Sequence, residues 1–249
     1  DSREIGTPRL VRDLSTFTMT RLAVTVCLLF SVAGAQDIPV TSCDTPQMNH
    51  CTNQLAIQWG YDPADMTEFW KNRDVFDDMV TRKYGTTDAD YINVCNGLSL
   101  FYHCLGPDNI QYCLGVSGLT SNEMSAFDAY QMDGEINRLR FECGDALYAV
   151  IGYAPASSCI QRTKTGYESE MDSLTNTYEN DVQVANGDME RECQVGSQYA
   201  YNISNIYWNG PCSEETTSNV RGTAQWFGCN GARQHVLAQF KHCEEHIQC

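Results

Sequence analysis

The sequence has little positive charge. Its 249 residues include 16 Lys and Arg against 32 Asp and Glu, which gives a formal net charge of −16. Proteins that bind nucleic acid without sequence preference, or that bind anionic membranes, do so through Lys and Arg side chains that neutralise phosphates. We therefore expect neither nucleic acid nor a membrane among the partners of this chain.

Motifs that define an enzyme are also lacking. Gly115-Val116-Ser117-Gly118 would need a glycine in place of Leu119 to form a nucleophile elbow. The sequence contains neither a G-x-G-x-x-G motif nor a P-loop. Residues 242–246 match the inverted zinc-protease pattern H-x-x-E-H, but no third ligand follows in the three residues after them. We therefore expect no catalytic residues and a protein that is not an enzyme.

The sequence has no apolar run long enough to cross a membrane. The run from Leu22 to Val32 is about half of the roughly 20 residues that a transmembrane helix needs. It follows Met19 and Arg21 and precedes Ala33-Gly34-Ala35, which is typical of a cleaved secretory signal. We predict an upstream read-through segment at 1–18, a signal peptide at 19–35 and a mature region at 36–249, and hence a secreted, extracellular protein.

Cysteine, by contrast, is abundant. Of 13 cysteines, Cys27 lies in the predicted signal, which leaves an even number of 12 in the mature region. In an extracellular chain this number predicts six disulfides and no free thiol, with the pairing left open. The predicted disulfide cysteines are Cys43, Cys51, Cys95, Cys104, Cys113, Cys143, Cys159, Cys193, Cys212, Cys229, Cys243 and Cys249.

The spacing of apolar residues is helical along the mature region. Steps of three and four predict a helix from Asp62-Pro63 to Tyr84-Gly85, and three further stripes. These stripes are Ile136, Leu139, Cys143, Leu147 and Val150; Met171, Leu174, Tyr178, Val182 and Ala185; and Val236, Phe240, Cys243 and Ile247. Turn sequences at Gly106-Pro107-Asp108, Tyr153-Ala154-Pro155, Asn186-Gly187-Asp188 and Asn209-Gly210-Pro211 separate the segments. We predict an all-α or mostly α fold, a helical bundle stapled by disulfides.

A short similarity between two segments of the chain indicates that the sequence could contain a duplication. Cys95-Asn96-Gly97 precedes Phe101-Tyr102-His103-Cys104, and Cys229-Asn230-Gly231 precedes Phe240-Lys241-His242-Cys243. The distance between the two elements differs, whereas true repeats keep a fixed period. We therefore keep two explanations. The chain contains two related helical modules, 36–118 and 119–249, or the similarity is a coincidence in a cysteine-rich sequence.

Two groups of side chains are candidate metal ligands. His235, His242 and His246 fall on one stripe of the last predicted helix, and one turn separates the second and third. Acidic residues in the segment 168–192 favour a weakly bound Ca²⁺; the candidates are Glu168, Glu170, Asp172, Glu179 and Asp181. A solvated polar face with no bound metal is the alternative for both groups. Asn202-Ile203-Ser204 is a glycosylation acceptor, with Asn202 as the modified residue.

The cysteine spacing carries a resemblance. Cys-x8-Cys-Leu from Cys95 to Leu105 and Cys-x8-Cys from Cys104 to Cys113, with helical stripes and many acids, resemble the cysteine-rich extracellular proteins of invertebrates. These include core domains of nematode proteoglycans and acidic molluscan shell-matrix proteins. The resemblance implies a structural role in an extracellular matrix and carries no catalytic residue over. The chain lacks the poly-Asp runs and repeated Ser-Gly sites of such proteins.

The charge, the signal and the cysteines together predict a secreted acidic structural or matrix protein. Its more specific form is a biomineral matrix protein that contacts calcium or mineral weakly, with matrix components or a mineral surface as partners. The alternative is a secreted helical binding protein for a small apolar ligand or a signalling partner. A secreted hydrolase with no recognisable motif is the third hypothesis.

Overall fold

The structure is a computed structural model that describes residues 42–215 and 218–249, without the side chain of residue 218. The predicted read-through segment and signal peptide lie outside these residues. The described part of the chain is helical and contains no β-strand, which confirms the predicted fold class. Its α-helices are α1 (Thr45–Trp59), α2 (Arg73–Tyr84), α3 (Asp88–Leu105), α4 (Pro107–Leu114), α5 (Val116–Ser121), α6 (Ala126–Cys143), α7 (Asp145–Ile151), α8 (Ala154–Gly166), α9 (Glu168–Ala185), α10 (Met189–Asn209) and α11 (Ser218–Gln239). Short 3₁₀ turns occur at Pro63–Met66, Pro211–Glu214 and Lys241–Cys243.

Local sequence sets the ends of the long helices. Thr87 and Asp90 form a capping box at the start of α3, in which each side chain accepts from the backbone N–H of the other. After α9, Asn186 adopts a left-handed conformation, and the Asp188 side chain caps α10. The predicted turns therefore coincide with the breaks between helices.

Helix α11 packs against both α6 and α10, while α1 and α2 pack against α3. Gly134 of α6 lies directly against the ring of His235 on α11. A Cβ added at Gly134 would lie 2.9 Å from the nearest ring atoms. The described residues belong to one compact unit. No helix in them is both long and apolar enough to cross a membrane.

All twelve predicted disulfide cysteines are paired. Two bonds join two α-helices, two join an α-helix to a 3₁₀ turn, and two join an α-helix to a residue outside the helices. The pairs are Cys43–Cys113, Cys51–Cys104, Cys95–Cys143, Cys159–Cys212, Cys193–Cys243 and Cys229–Cys249. Five pairs lie within one or the other of the predicted modules 36–118 and 119–249, and Cys95–Cys143 joins the two. A common ancestry of the two modules stays a prediction.

Three predicted helices are shorter than expected. The segment from Asp62 begins with a 3₁₀ turn, and α2 starts only at Arg73, where the Asn72 side chain caps it. The stripe from Ile136 to Val150 is split at Gly144 between α6 and α7.

The C-terminal helix is the third that is shorter than predicted. Helix α11 ends at Gln239, before Phe240, Cys243 and Ile247. Cys229 on α11 bonds Cys249 with 5.7 Å between their Cα atoms. A continuous helix would separate these two residues by roughly 30 Å, so the chain has to turn back after Gln239.

Candidate functional site

A cavity of about 110 Å³ lies among helices α2, α6, α8, α9, α10 and α11. Two types of side chain dominate its wall, ionisable groups and tyrosines. The ionisable residues are Asp77, Glu135, Arg138, Glu142, Lys164, Glu168 and Asp172, and the tyrosines are Tyr84, Tyr199 and Tyr207. A cavity of about 150 Å³ accommodates benzene, so this one has room for a ligand of about that size or smaller.

Four of these residues form a buried cluster, which we call the ion-pair cluster: Glu135, Arg138, Glu142 and Lys164. Arg138 donates from Nε to Glu135 Oε2 at 2.6 Å and from Nη1 to Glu142 Oε1 at 2.9 Å. Lys164 Nζ lies 2.6 Å from Glu142 Oε2, and the Tyr84 hydroxyl donates to the same oxygen. The cluster thus contains two positive and two negative groups that neutralise one another.

The helical spacing on α6 brings these charges together. Glu135, Arg138 and Glu142 follow one another at steps of three and four, so their side chains meet on one face of the helix. Lys164 completes the cluster from the last turn of α8. Its Nζ also lies 3.7 Å from the centroid of the Tyr84 ring, which is cation–π geometry.

Burial and pairing act in opposite directions on these groups. Burial by itself would raise the pKa of Glu142, but Lys164 and Arg138 outweigh it, and the pKa lies below its usual value. The pKa of Glu135 is lowered in the same way, against burial, by Arg138 and His235. Burial lowers the pKa of Lys164 to about 8, although Glu142 opposes the shift. Both glutamates are therefore ionised at neutral pH.

The other three acids on the cavity wall have no such partners. Asp77 Oδ1 is buried and has no hydrogen-bond partner, and its Oδ2 is 4.0 Å from Arg73 Nε. Burial and then the charge of Glu135 raise the pKa of Asp77 well above its usual value, and the same two causes raise that of Asp172. Asp172 and Glu168 are exposed while lining the cavity, so they lie at its mouth. When these three acids are ionised, the wall has an excess of negative charge.

The tyrosine rings are held in place by neighbouring aromatic rings. Tyr199 stacks on Tyr178 with ring centroids 4.6 Å apart, and Tyr84 stacks on Tyr91 at 5.5 Å. Tyr207 contacts Phe227 edge to face at 5.6 Å. The aromatic part of the cavity wall is therefore rigid.

The three predicted metal-binding histidines are not brought together. His235 is fully buried, with Nδ1 2.9 Å from Glu135 Oε1 and Nε2 3.1 Å from Gln131 Oε1. His242 and His246 are exposed and lie beyond the end of α11. The prediction that the three histidines lie on one stripe of a helix was wrong, because α11 ends at Gln239, before His242 and His246.

Among the described residues, one group of His, Cys, Asp or Glu has atoms at metal-ligand spacing: Cys193, His242 and Cys243. The two cysteines form a disulfide and supply no thiolate, so this group does not make a metal site.

Four of the five acidic calcium candidates are exposed on α9: Glu168, Glu170, Asp172 and Asp181. The fifth, Glu179, is buried and forms an ion pair with Arg73, so it is not an available ligand. Asn202 is half-buried within α10, and its glycosylation stays a prediction.

The sequence reasoning missed the ion-pair cluster and Asp77. Helical spacing alone could have revealed part of it, because Glu135, Arg138 and Glu142 lie next to the apolar stripe of Ile136 and Leu139. Charged residues that adjoin a buried stripe on the same helix predict buried ion pairs.

In comparisons with known proteins, no family model, no curated protein and no solved structure matches this chain. The resemblance to invertebrate matrix proteins therefore stays a prediction, and the function has to be argued from the geometry of the cavity.

Proposed function

We propose that this is a secreted helical binding protein that holds a small ligand in the cavity among α2, α6 and α8–α11. The observation that carries the proposal is a cavity whose wall combines a self-neutralised ion-pair cluster, stacked tyrosines and three acids outside that cluster. Ligand sites are typically concave and largely pre-formed, with a few placed polar groups. Six disulfides support an extracellular location, since such bonds persist in oxidising compartments.

Native mass spectrometry of the protein purified without denaturation tests this proposal. We expect a stoichiometric small molecule in the wild type. We expect it to be absent in Ile203→Trp, because Ile203 lines the cavity and a larger side chain there fills it.

Ile206→Trp is the matched control, since Ile206 lies on the same helix and does not line the cavity. The control should retain the ligand. Wild-type protein with no bound molecule, together with no thermal stabilisation by any member of a small-molecule panel, would remove the proposal.

A second candidate function is weak contact with calcium or mineral in an extracellular matrix. It is favoured by the exposed acids of α9, because no ion pair among the described residues includes Glu168, Glu170, Asp172 or Asp181. Carboxylate oxygens are the ligands that Ca²⁺ prefers. A surface of this kind would act through its charge density.

Calorimetric titration with Ca²⁺ and retention on calcium carbonate test the second candidate. We expect Glu170→Gln/Asp181→Asn to bind less calcium than Asp65→Asn/Asp108→Asn, which removes the same number of exposed charges from other helices. Equal losses in the two variants, or no binding by the wild type near millimolar calcium, would contradict it.

A further inference from the structure

The charge balance of the cavity wall points to the class of ligand. Within the wall, the ion-pair cluster is neutral by itself, which leaves the carboxylates of Asp77, Glu168 and Asp172. The nearest base to Asp77 is Arg73, and Arg73 also forms an ion pair with Glu179. With Asp77 ionised, the cavity therefore has an unbalanced negative charge before a ligand binds.

We infer that the cavity binds a small organic cation, a primary ammonium with a short apolar tail. The inference rests on the proposed function and specifies its ligand. An ammonium group has three donors and would pair with the carboxylate of Asp77, which lines the cavity. The tail would lie against Tyr199, Tyr207 and Ile203, since ring faces and aliphatic carbon both favour such contact.

An anionic ligand does not fit this wall. Arg138 donates to Glu135 and Glu142, and Lys164 donates to Glu142. An anion would have to break these buried bonds and would also approach Asp77 and Asp172. Repulsion between like charges in a partly desolvated site opposes such binding.

A purely apolar ligand, the kind expected from the sequence, fits less well than a cation. It would desolvate the carboxylate of Asp77 further without supplying an opposite charge, and burial of a charge without a partner is unfavourable.

A bare metal ion is also a poorer match. Among the described residues, no three carboxylates approach one another at metal-ligand spacing. Hard cations such as Ca²⁺ need six to eight oxygen ligands. Aromatic ring faces instead attract organic ammonium ions, and the carboxylate of Asp77 adds an opposite charge.

Isothermal titration with three probes of equal chain length tests the ligand class: butylamine, butanol and butyrate. Near pH 7 the first is a cation, the second neutral and the third an anion. We expect butylamine to bind at least tenfold more tightly than the other two, because only butylamine carries a charge opposite to that of the wall.

Asp77→Asn keeps the shape of the side chain and removes its charge. We expect it to weaken butylamine binding on the order of tenfold, since it removes a partly desolvated ion pair. Asp181→Asn, an exposed change on α9 away from the cavity, should change the affinity by less than about twofold. Circular dichroism of each variant establishes that it is folded.

The outcomes separate the ligand class from the proposed function. If butanol or butyrate binds as tightly as butylamine, the cation class is wrong and the cavity is still a binding site. If butylamine binds and Asp77→Asn leaves its affinity unchanged, the placement of the ammonium at Asp77 is wrong. If no probe binds and natively purified protein also contains no ligand, the proposed function fails together with the ligand class.

Discussion

Two buried regions of this protein are stabilised by different physical effects. The first, which we call the aromatic cluster, consists of five buried residues before residue 106. They are Trp59 of α1, Phe76 of α2, Phe101 of α3, and Phe69 and Trp70 of the turn that precedes α2. Phe69 lies 4.6 Å from Trp70 and 4.8 Å from Phe76 between ring centroids, and Trp70 stacks on Phe101 at 4.8 Å. The second is the ion-pair cluster. Apolar burial and dispersion stabilise the first, whereas the second depends on each charge keeping its partner.

This difference predicts how the two regions respond to substitution. Close-packed apolar regions tolerate exchanges that keep the volume. A buried ion pair that loses one partner leaves an uncompensated charge, even when the new side chain has the same shape. The aromatic cluster should therefore be sensitive to size, and the ion-pair cluster to charge.

The largest effect is expected for Glu142→Gln. The substitution keeps the shape of the side chain but leaves Lys164 without a counter-charge and Arg138 with only Glu135. We expect the free energy of unfolding to fall by about 3–5 kcal/mol, measured by urea denaturation.

The double variant Glu142→Gln/Lys164→Met is its control. It removes both charges of the Lys164 pair and should recover part of the loss. A loss below about 1 kcal/mol in the single variant would show that the charges are solvated, and the contrast between the two regions would then disappear.

The next largest loss of stability is expected when the disulfide Cys95–Cys143 is removed, which joins α3 to α6. Cys95→Ser/Cys143→Ser should lower the free energy of unfolding by about 2–4 kcal/mol, because the unfolded chain regains the freedom of a 48-residue separation.

Cys229→Ser/Cys249→Ser, with a separation of 20 residues, is the comparison. Its loss should be smaller by about 0.8 kcal/mol on the chain-entropy account. Equal losses in urea denaturation would mean that native-state contacts, and not loop length, set the contribution of these bonds.

A smaller loss in the free energy of unfolding is expected for a substitution in the aromatic cluster. Phe69 is fully buried between Trp59, Trp70 and Phe76. Phe69→Leu keeps most of the apolar volume, so we expect a loss of about 1.5 kcal/mol in the same urea assay. A loss as large as that of Glu142→Gln would refute the distinction between a region sensitive to size and one sensitive to charge.

The sequence predicted the aromatic cluster better than the ion-pair cluster, for a physical reason. Phe69, Trp70 and Phe76 fall in the segment predicted as a helix from Asp62-Pro63 to Tyr84-Gly85, and aromatic residues at helical spacing usually lie in the core. All three are buried, although only Phe76 lies on a helix. The helical class and the twelve paired cysteines were predicted for similar reasons. Each of these inferences uses one residue type and local spacing.

The candidate site could not be predicted in this way. Glutamate is usually a surface residue type. Glu142 is buried here with donors from other helices, Lys164 of α8 and Tyr84 of α2. His235 is buried because Gly134 leaves room for its ring, and its Nδ1 lies 2.9 Å from Glu135 Oε1. Such partners come from separate helices, and spacing along one helix does not show which helices will meet.

The smallest change in the free energy of unfolding is expected for Asp77→Asn. This substitution should stabilise the protein, whereas the other substitutions should destabilise it. Burial and Glu135 raise the pKa of Asp77, with Asp172 adding to the shift and Arg138 and Arg73 opposing it. The charged carboxylate therefore destabilises the folded state near neutral pH. Because its side chain is 39% exposed, solvent screens the effect, and we expect a gain in stability of no more than about 1 kcal/mol.

The gain should depend on pH in one direction. Above the raised pKa, Asp77 is charged in both states, and the gain from Asp77→Asn is full. As the pH falls towards the unfolded value of about 3.9, the folded protein takes up the proton first, and the difference from the wild type should shrink. Thermal unfolding near pH 7 and near pH 4 measures this, with Asp181→Asn as the control. An Asp77→Asn protein less stable than the wild type near pH 7 would mean that Arg73 already neutralises Asp77. The negative charge that distinguishes the cavity from the aromatic cluster would then be balanced without a ligand.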